Sequence, residues 1–146
     1  MSAVARLAEL GIELPEVAAP AGAYVPAVRT GNLVYTSGQV ARGYSGKVGA
    51  EVPEADAKAA ARECALSALA AIDALVGLDA VVRVVKVVGF VASAPGFTGQ
   101  PGVINGASEL LGEVFGEAGA HARSAVGVAE LPLGVPVEVE LIVEVR

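Results

Sequence analysis

Residues 121–146 read HARSAVGVAELPLGVPVEVELIVEVR, and this stretch decides the fold. Its second half alternates apolar and polar residues with a period of two, a pattern that predicts a β-strand with one buried face and excludes a helix. A tight turn at PLG, residues 132–134, is expected to join it to a first strand in HARSAVGVAEL. The odd positions of the second strand are apolar and its even positions hold the glutamates and one isoleucine: Val135, Val137, Val139, Leu141, Val143 and Val145 against Glu138, Glu140, Ile142 and Glu144.

The side chains of the first strand can be assigned to the two faces of the sheet if these two strands form a hairpin. Val126 and Val128 are its better hydrophobes, so a hairpin places both on the shared core face. Arg123 then lies with the glutamates on the other face, because a slip of one residue would turn every side chain over. A face that carries an arginine, several carboxylates and small residues is unusual for a solvent face. The sequence therefore predicts a site there.

Length and composition indicate one domain with a core of small aliphatic side chains. The chain has 146 residues, of which 54% are hydrophobic and none is tryptophan, and this length suffices for a sizeable core. No apolar run reaches the roughly 20 residues of a membrane helix, and the first residues lack the features of a secretory signal. We therefore expect a cytoplasmic protein without a membrane segment. The single cysteine, Cys64, excludes an internal disulfide.

The charge of the chain argues against nucleic acid as its main partner. The formal net charge is −6 and the ten Lys and Arg residues are scattered, whereas phosphate binding depends on clusters of them. One histidine and one cysteine are too few for a zinc site of the usual ligands, and we expect neither a metal nor a cofactor. Glu138, Glu140 and Glu144 could together bind a hard cation, but a charged strand face explains them more simply.

Helix and strand signals alternate along the rest of the chain. Gly31 and Asn32 suit a tight turn between two strands, whereas Pro15 and Pro20 predict an extended arm that stays outside the sheet. The predicted elements are, in order, helix 2–10, strands 23–28 and 33–39, helix 53–76, strand 81–93, helix 103–115 and the two final strands. Residues 1–20 thus form a short helix and an arm, and residues 21–146 form the domain.

Two features that could carry chemistry have simpler explanations. The glycine-rich stretch GYSGKVG lacks the spacing and the trailing Lys-Ser/Thr of a phosphate-binding loop. Cys64 lies in the apolar stripe of helix 53–76, where a small buried hydrophobe is a better interpretation than a reactive thiol.

The order β-β-α-β-α-β-β predicts an α+β sandwich of two layers, in which two helices cover one face of a mixed sheet. The other face would carry half of strand 81–93 together with Ala125, Gly127 and Ile142, and a monomer would leave this apolar surface in water. Exposed patches of this kind usually mark interfaces. We therefore expect a homo-oligomer in which the sheets face one another, with a site at the subunit boundaries.

Several short motifs, in this order and spacing, resemble the Rid family, the reactive intermediate deaminase or YjgF-like proteins. The resemblance extends from about Tyr24 to Arg146. It implies a chorismate-mutase-like fold, a homotrimer with a barrel core and a ligand site in each cleft between subunits. The matching pieces are Tyr24-Val25-Pro26, Thr36-Ser37-Gly38-Gln39, Asn105, Ala122-Arg123-Ser124, Leu131-Pro132 and the VEVEL run at 137–141.

The resemblance also implies an activity and a set of site residues. Better-studied members hydrolyse reactive enamine and imine intermediates, such as 2-aminoacrylate and related 2-imino acids, to the 2-keto acid and ammonia without a cofactor. By motif, Arg123 matches the arginine that holds the substrate carboxylate, and Glu138 matches the carboxylate near the attacking water. The remaining substrate-binding positions carried over by the resemblance are Tyr24, Gly38 and Asn105. Ser37, the neighbour of Gly38, is expected to line the same wall.

This sequence departs from the family pattern at two positions beside the arginine. Ala125 stands where a cysteine is frequent, although its backbone N–H could still donate to a ligand. His121 stands where a proline is common. The chain therefore resembles a divergent subgroup, and two alternatives to the deaminase stay open: a non-catalytic trimer that binds or senses small carboxylates, and, third, an endoribonuclease, which the acidic charge disfavours.

Structural roles compete with these functional ones. Arg123 and Glu138 could simply neutralise each other in the barrel interior, and Tyr24 could close a hairpin. Asn105 could cap a helical turn. His121 could line the cleft as an acid or base, or be a strand-end histidine that bonds to backbone. Phe97 could cover the cleft mouth or pack in the core.

Overall fold

Three α-helices and six β-strands make up the chain, and the computed structural model describes all of residues 1–146. In chain order they are α1 (Ala3–Glu9), β1 (Ala27–Thr30), β2 (Leu33–Thr36), β3 (Gln39–Val40), α2 (Glu54–Val76), β4 (Val81–Ala92), α3 (Gln100–Phe115), β5 (Ala122–Val128) and β6 (Val137–Val145).

The last strand, β6, lies at the centre of a single mixed sheet. The strand order is β1-β2-β6-β4-β5, and β3 pairs with β6 beyond the end of β2. All pairs are antiparallel except β4 and β5, which are parallel. A parallel pair needs a long crossover connection, and α3 supplies it. The strand β5 is consequently an edge of the sheet.

Both long helices cover the same face of the sheet, and the core lies between the two layers. The odd positions of β6 are buried and its even positions are half-exposed, as the alternation in the sequence predicts. From the helix side, the core receives small aliphatic groups, including Ala61, Ala65 and Leu69 of α2 and Ile104 and Leu110 of α3. The predicted α+β sandwich, with two helices on one face of a mixed sheet, is confirmed.

The predicted hairpin of the last two strands is wrong, because β4 lies between β5 and β6. In this arrangement Arg123 is opposite Val87, which is opposite Leu141. Residues that are opposite one another in a sheet share a face, so Arg123 lies on the helix side with the core. Val126 is opposite Phe90, which is opposite Glu138. Arg123 and the glutamates are therefore on different faces.

The same register corrects the small residues of β5. Ala125 is opposite Gly89 and packs against the core, so it lies on the helix side and not on the open face. Gly127, two residues further along the strand, shares that side. Val126, which the hairpin placed in the core, is 44% exposed on the open face. The prediction failed because alternation assigns side chains to faces but does not say which strand is the neighbour.

The first hairpin forms where it was predicted, with shifted bounds. Gly31, at a φ of 56°, and Asn32 make the turn between β1 and β2, and glycine adopts this conformation without strain. Residues 23–26, predicted as strand, stay outside the sheet, while Arg29 and Thr30 belong to β1.

The N-terminal helix is part of the same core as the rest of the chain. Leu7 of α1 is buried, and Ile12 and Leu14 pack against the core before the arm continues. The side chain of Arg6 donates from Nε to the Glu113 carbonyl at the end of α3 over 2.9 Å. None of the helices is long and apolar enough to cross a membrane.

Candidate functional site

A β-bulge next to the centre of the sheet builds the first part of the candidate site. Between the Tyr35–Ile142 pair and the Gln39–Val139 pair, three residues of one strand oppose two residues of β6. The hydroxyl of Thr36 accepts the Leu141 N–H over 3.0 Å and so replaces a bond of the ladder. Bulges of this kind redirect side chains and are frequent beside active sites. This one brings the backbone at residue 38 against β6.

The bulge places Gly38 directly under the carboxylate of Glu138. A Cβ at Gly38 would collide with Oε2 of Glu138, so any larger residue there would push the carboxylate aside. The carboxylate is in none of the four ion pairs of the chain. Burial, followed by the nearby negative charge of Glu140, raises the pKa of Glu138 above its usual value. A carboxylate with a raised pKa and no partner is suited to accept a proton from a ligand or from water.

The carboxylate of Glu138 opens into a cavity of about 440 Å³, which we call the Glu138 cavity. Tyr24 and Gly38 line it, and so do Arg42 and Leu133. Leu133 is 71% exposed and is the only non-glycine residue with a positive φ, 64°. Residues 18–21 of the N-terminal arm form another part of the cavity wall.

Two polar groups fix the end of this arm. The hydroxyl of Tyr24 accepts the N–H of Ala21 over 3.0 Å, and the hydroxyl of Ser37 donates to the carbonyl of Val25 over 2.6 Å. Ser37, predicted to bind substrate, does not line the Glu138 cavity. Its hydroxyl proton is used in holding the arm.

The second part of the candidate site is the Arg123 cluster, formed by Arg123, Asn105, Ser108 and His121 where β5 runs beside α3. Nη1 of Arg123 donates to Oδ1 of Asn105 over 2.8 Å and to Oγ of Ser108 over 3.2 Å. Ser108 also contacts Nε2 of His121 over 2.9 Å, and Nδ1 of His121 lies 2.6 Å from the Gly119 carbonyl oxygen. The helix α3 thus orients the arginine from one side.

The opposite edge of the guanidinium is left free. Both hydrogens of Nη1 are used by Asn105 and Ser108, whereas Nε and Nη2 of Arg123 make no hydrogen bond or ion pair in the chain. Two parallel N–H groups on a planar fork match the two oxygens of a carboxylate. The alternative in which Arg123 pairs with a glutamate of its own subunit is wrong, since those glutamates lie on the other face of the sheet.

The two parts are separate within one chain. The structure brings Tyr24, Gly38 and Glu138 together, and it brings Arg123 and Asn105 together, but it does not join the two groups. Phe97 packs against the core and over Gly49, and does not line the Glu138 cavity.

Neither a metal cluster nor a reactive thiol is formed. No three His, Cys, Asp or Glu side chains lie close enough together to hold a metal ion. Cys64 is buried in α2, its thiol faces the Val137 carbonyl at 3.6 Å, and burial raises its pKa well above the usual range. Its interpretation as a small buried hydrophobe is confirmed.

Sequence reasoning missed Ser108, Arg42 and Leu133. Ser108 follows Asn105 by three residues on α3, and residues three apart lie on the same helical face. This spacing could have been used to find it. Arg42 and Leu133 carried no such signal, because both come to the Glu138 cavity from loops.

Two helices cover one face of the mixed sheet and leave its other face open. This arrangement places the protein in the class of chorismate-mutase-like α+β sandwiches. Residues 15–145 match the family described as Endoribonuclease L-PSP. The chain belongs to this family, which includes the YjgF and RidA proteins.

Similar proteins come from several organisms. Protein TCP17 of Trypanosoma cruzi is 48% identical over 97% of this chain and 93% of its own length. The structure of Atu1372 from Agrobacterium tumefaciens, a protein of unknown function, is 45% identical with a TM-score of 0.90, covering 99% of this chain and 92% of that one. YjgF of E. coli is 34% identical with a TM-score of 0.62, over 90% and 94% of the two chains. E. coli TdcF with bound serine is 29% identical with a TM-score of 0.61, over 91% and 94%.

Proposed function

We propose that this protein hydrolyses 2-imino acids and their enamine forms, such as 2-aminoacrylate, to the 2-keto acid and ammonia, in a site shared by two subunits of a homotrimer. The observation that carries the proposal is the division of the site within one chain. The Arg123 cluster offers a free carboxylate-binding edge but no base. The Glu138 cavity offers an unpaired carboxylate, and its own cation, Arg42, is not held by hydrogen bonds of the kind that orient Arg123. Each part supplies what the other lacks.

The open face of the sheet supports the oligomer. Val28, Tyr35, Val85 and Val126 are large apolar side chains that are at least one-third exposed, and they lie outside the core. A surface of this kind usually marks an interface. In a closed ring of three, each interface joins two different patches of the chain. Such a ring can set the edge strand β5, with Arg123, beside the Glu138 cavity of the next subunit.

The substrate class follows from the arginine. A bidentate Arg–carboxylate pair fixes both the position and the plane of a small acid. TdcF, whose structure is similar to this one, is described with bound serine, which carries a carboxylate and a nitrogen on C2. A 2-imino acid has both groups in the same relation. Arg123 would hold the carboxylate and leave C2 exposed to water.

The reaction then requires one water and one carboxylate. Solvent protonates the imine nitrogen, and Glu138 takes a proton from the water as the water oxygen bonds to C2, which gives a carbinolamine. Glu138 passes this proton to the amine. It then takes the hydroxyl proton as the C–N bond breaks and ammonia leaves, and it releases that proton to solvent. An enamine enters this route after protonation at C3. No step uses a thiol, so Ala125 is compatible with the chemistry.

The experiment measures keto-acid release from enzymatically generated 2-aminoacrylate. The wild type is expected to exceed the spontaneous rate. Glu138→Gln should lower kcat by about 100-fold or more, the usual contribution of a general base, and Arg123→Ala should mainly raise KM. Glu144→Gln and Arg62→Ala are controls, because Glu144 shares the face of Glu138 and Arg62 pairs with Glu113 on the helices.

Two other outcomes would contradict the proposal. If the wild type gives no rate above the spontaneous one but still binds 2-keto acids, the protein is a non-catalytic binding or regulatory trimer. If the wild type cleaves RNA and Arg123→Ala abolishes that cleavage, the protein is an endoribonuclease instead.

A further inference from the structure

The only histidine of the chain is part of a line of hydrogen bonds that ends on Arg123. Nδ1 of His121 lies 2.6 Å from the Gly119 carbonyl oxygen. A carbonyl can only accept, so Nδ1 carries a proton. In the neutral ring Nε2 is then an acceptor, and the hydroxyl of Ser108, 2.9 Å away, donates to it.

The direction of this bond determines what Ser108 offers to the arginine. With its proton directed at Nε2, the Ser108 oxygen presents lone pairs to Nη1 of Arg123 at 3.2 Å. Oδ1 of Asn105 accepts the other Nη1 hydrogen at 2.8 Å. Both acceptors come from one face of α3, three residues apart. They stop the guanidinium from rotating and leave Nε and Nη2 facing away from the helix.

The same geometry excludes a direct role of His121 in proton transfer. Both ring nitrogens are occupied within the subunit, one by a backbone carbonyl and one by the Ser108 hydroxyl. A general acid or base needs a free ring nitrogen within hydrogen-bond reach of the substrate. His121 reaches the arginine only through Ser108.

We infer that His121 and Ser108 are positioning residues that hold the guanidinium of Arg123 in the orientation for bidentate carboxylate binding. The inference rests on the proposed function for its substrate, since Arg123 must be the carboxylate-binding group. The order of action is fixed: His121 orients the Ser108 hydroxyl, and Ser108 together with Asn105 orients Arg123. The affinity for the acid, and not the rate of the chemical step, depends on these hydrogen bonds between His121, Ser108 and Arg123.

The kinetic test uses four variants of the full chain, each checked for the wild-type oligomeric state. Ser108→Ala and His121→Leu should each raise KM about tenfold, the size expected for a hydrogen bond to a charged group, with kcat within about twofold. The double variant should be no worse than Ser108→Ala alone, because the two residues act in series. His121→Gln, which keeps an oxygen able to accept from Ser108, should restore most of the affinity.

A second readout is independent of turnover. Because the chain has one histidine, its ring nitrogens give a single set of NMR signals. These should report the Nδ1-protonated tautomer, and Ser108→Ala should move the Nε2 resonance. The dissociation constant for pyruvate, measured by calorimetry, should rise in the same variants as KM.

The results separate this inference from the proposed function. If the wild type shows no deaminase rate but pyruvate binding weakens in Ser108→Ala and His121→Leu, the deaminase is wrong and the positioning role stands. A fall in kcat at unchanged KM in His121→Leu would instead assign proton transfer to the ring. Wild-type affinity in both variants, or an Nε2-protonated tautomer, would overturn the inference.

Discussion

Glu138 is a carboxylate whose surroundings favour its protonated form. Its Oε2 packs on the backbone of Gly38, it has no cationic partner in the subunit, and Glu140 lies nearby. Burial first and the Glu140 charge second raise its pKa. A base with a raised pKa is closer to the operating pH and so transfers protons more effectively.

The pH dependence of the reaction tests this directly. The proposed base, Glu138, acts in its ionised form, so kcat/KM should fall as the pH drops through its pKa. This acid limb should lie above the value of about 4.3 for an exposed glutamate. Glu140→Gln removes the like charge, which lowers the pKa of Glu138, and should move the limb to lower pH.

Glu144→Gln is the control for that shift, because Glu144 is not among the groups that raise the pKa of Glu138. Its acid limb should stay at the wild-type position. A limb that is unchanged in Glu140→Gln would mean that another group titrates.

At the level of secondary-structure elements, α3 is held against α2 by a glycine. A Cβ at Gly106 would collide with the backbone carbonyl of Lys58, whereas a Cβ at Gly112 on the same helix would meet nothing within 4 Å. The close approach of the two helices therefore depends on Gly106. It also fixes the side of α3 from which Asn105 and Ser108 reach Arg123.

The two glycines give opposite predictions for the same substitution. Gly106→Ala should lower the free energy of unfolding by about 1–3 kcal/mol, because the helices must separate. Gly112→Ala should raise it by about 0.5–1 kcal/mol, since alanine favours a helix over glycine. Urea unfolding of both variants measures the difference. Equal effects of the two substitutions would contradict the close packing at Gly106.

The sequence predicts the individual helices and strands better than it predicts which strands are neighbours. The alternation in β6 correctly predicts its buried and open faces, and the apolar stripe of α2 predicts its extent to within one residue. Which strands are neighbours depends on contacts between residues far apart in the sequence. Here the parallel crossover through α3 places β5 next to β4 and so separates it from β6. Arg123 and Glu138 are named by motif, but their placement on different faces depends on this topology and needed the structure.

On the scale of the whole molecule, the proposed trimer covers the open face of the sheet. Ile142 lies on this face between Tyr35 and Lys86. Ile142→Glu adds a fourth carboxylate to a strand face that already has three, so the buried interface should be lost through desolvation and repulsion. Light scattering should show a trimer for the wild type and a monomer for this variant.

Leu75→Glu is the control for Ile142→Glu, because it adds the same negative charge away from the open face. Leu75 is 45% exposed near the end of α2, on the helix layer, and this variant should remain a trimer. A trimer for both variants, or a monomeric wild type, would place the interface elsewhere.

The central claim is that each site takes Arg123 from one subunit and Glu138 from another, and mixed oligomers test it most directly. Arg123→Ala and Glu138→Gln are co-expressed with different tags, and oligomers that carry both tags are purified. They are assayed at a substrate concentration near the wild-type KM, where each variant alone has little activity. If the site is shared around a ring, every trimer that carries both tags has one complete site, roughly one third of its sites, and deaminase activity returns in that proportion. If each site lies within one chain, no mixed oligomer contains a complete site, and activity stays at the level of the single variants.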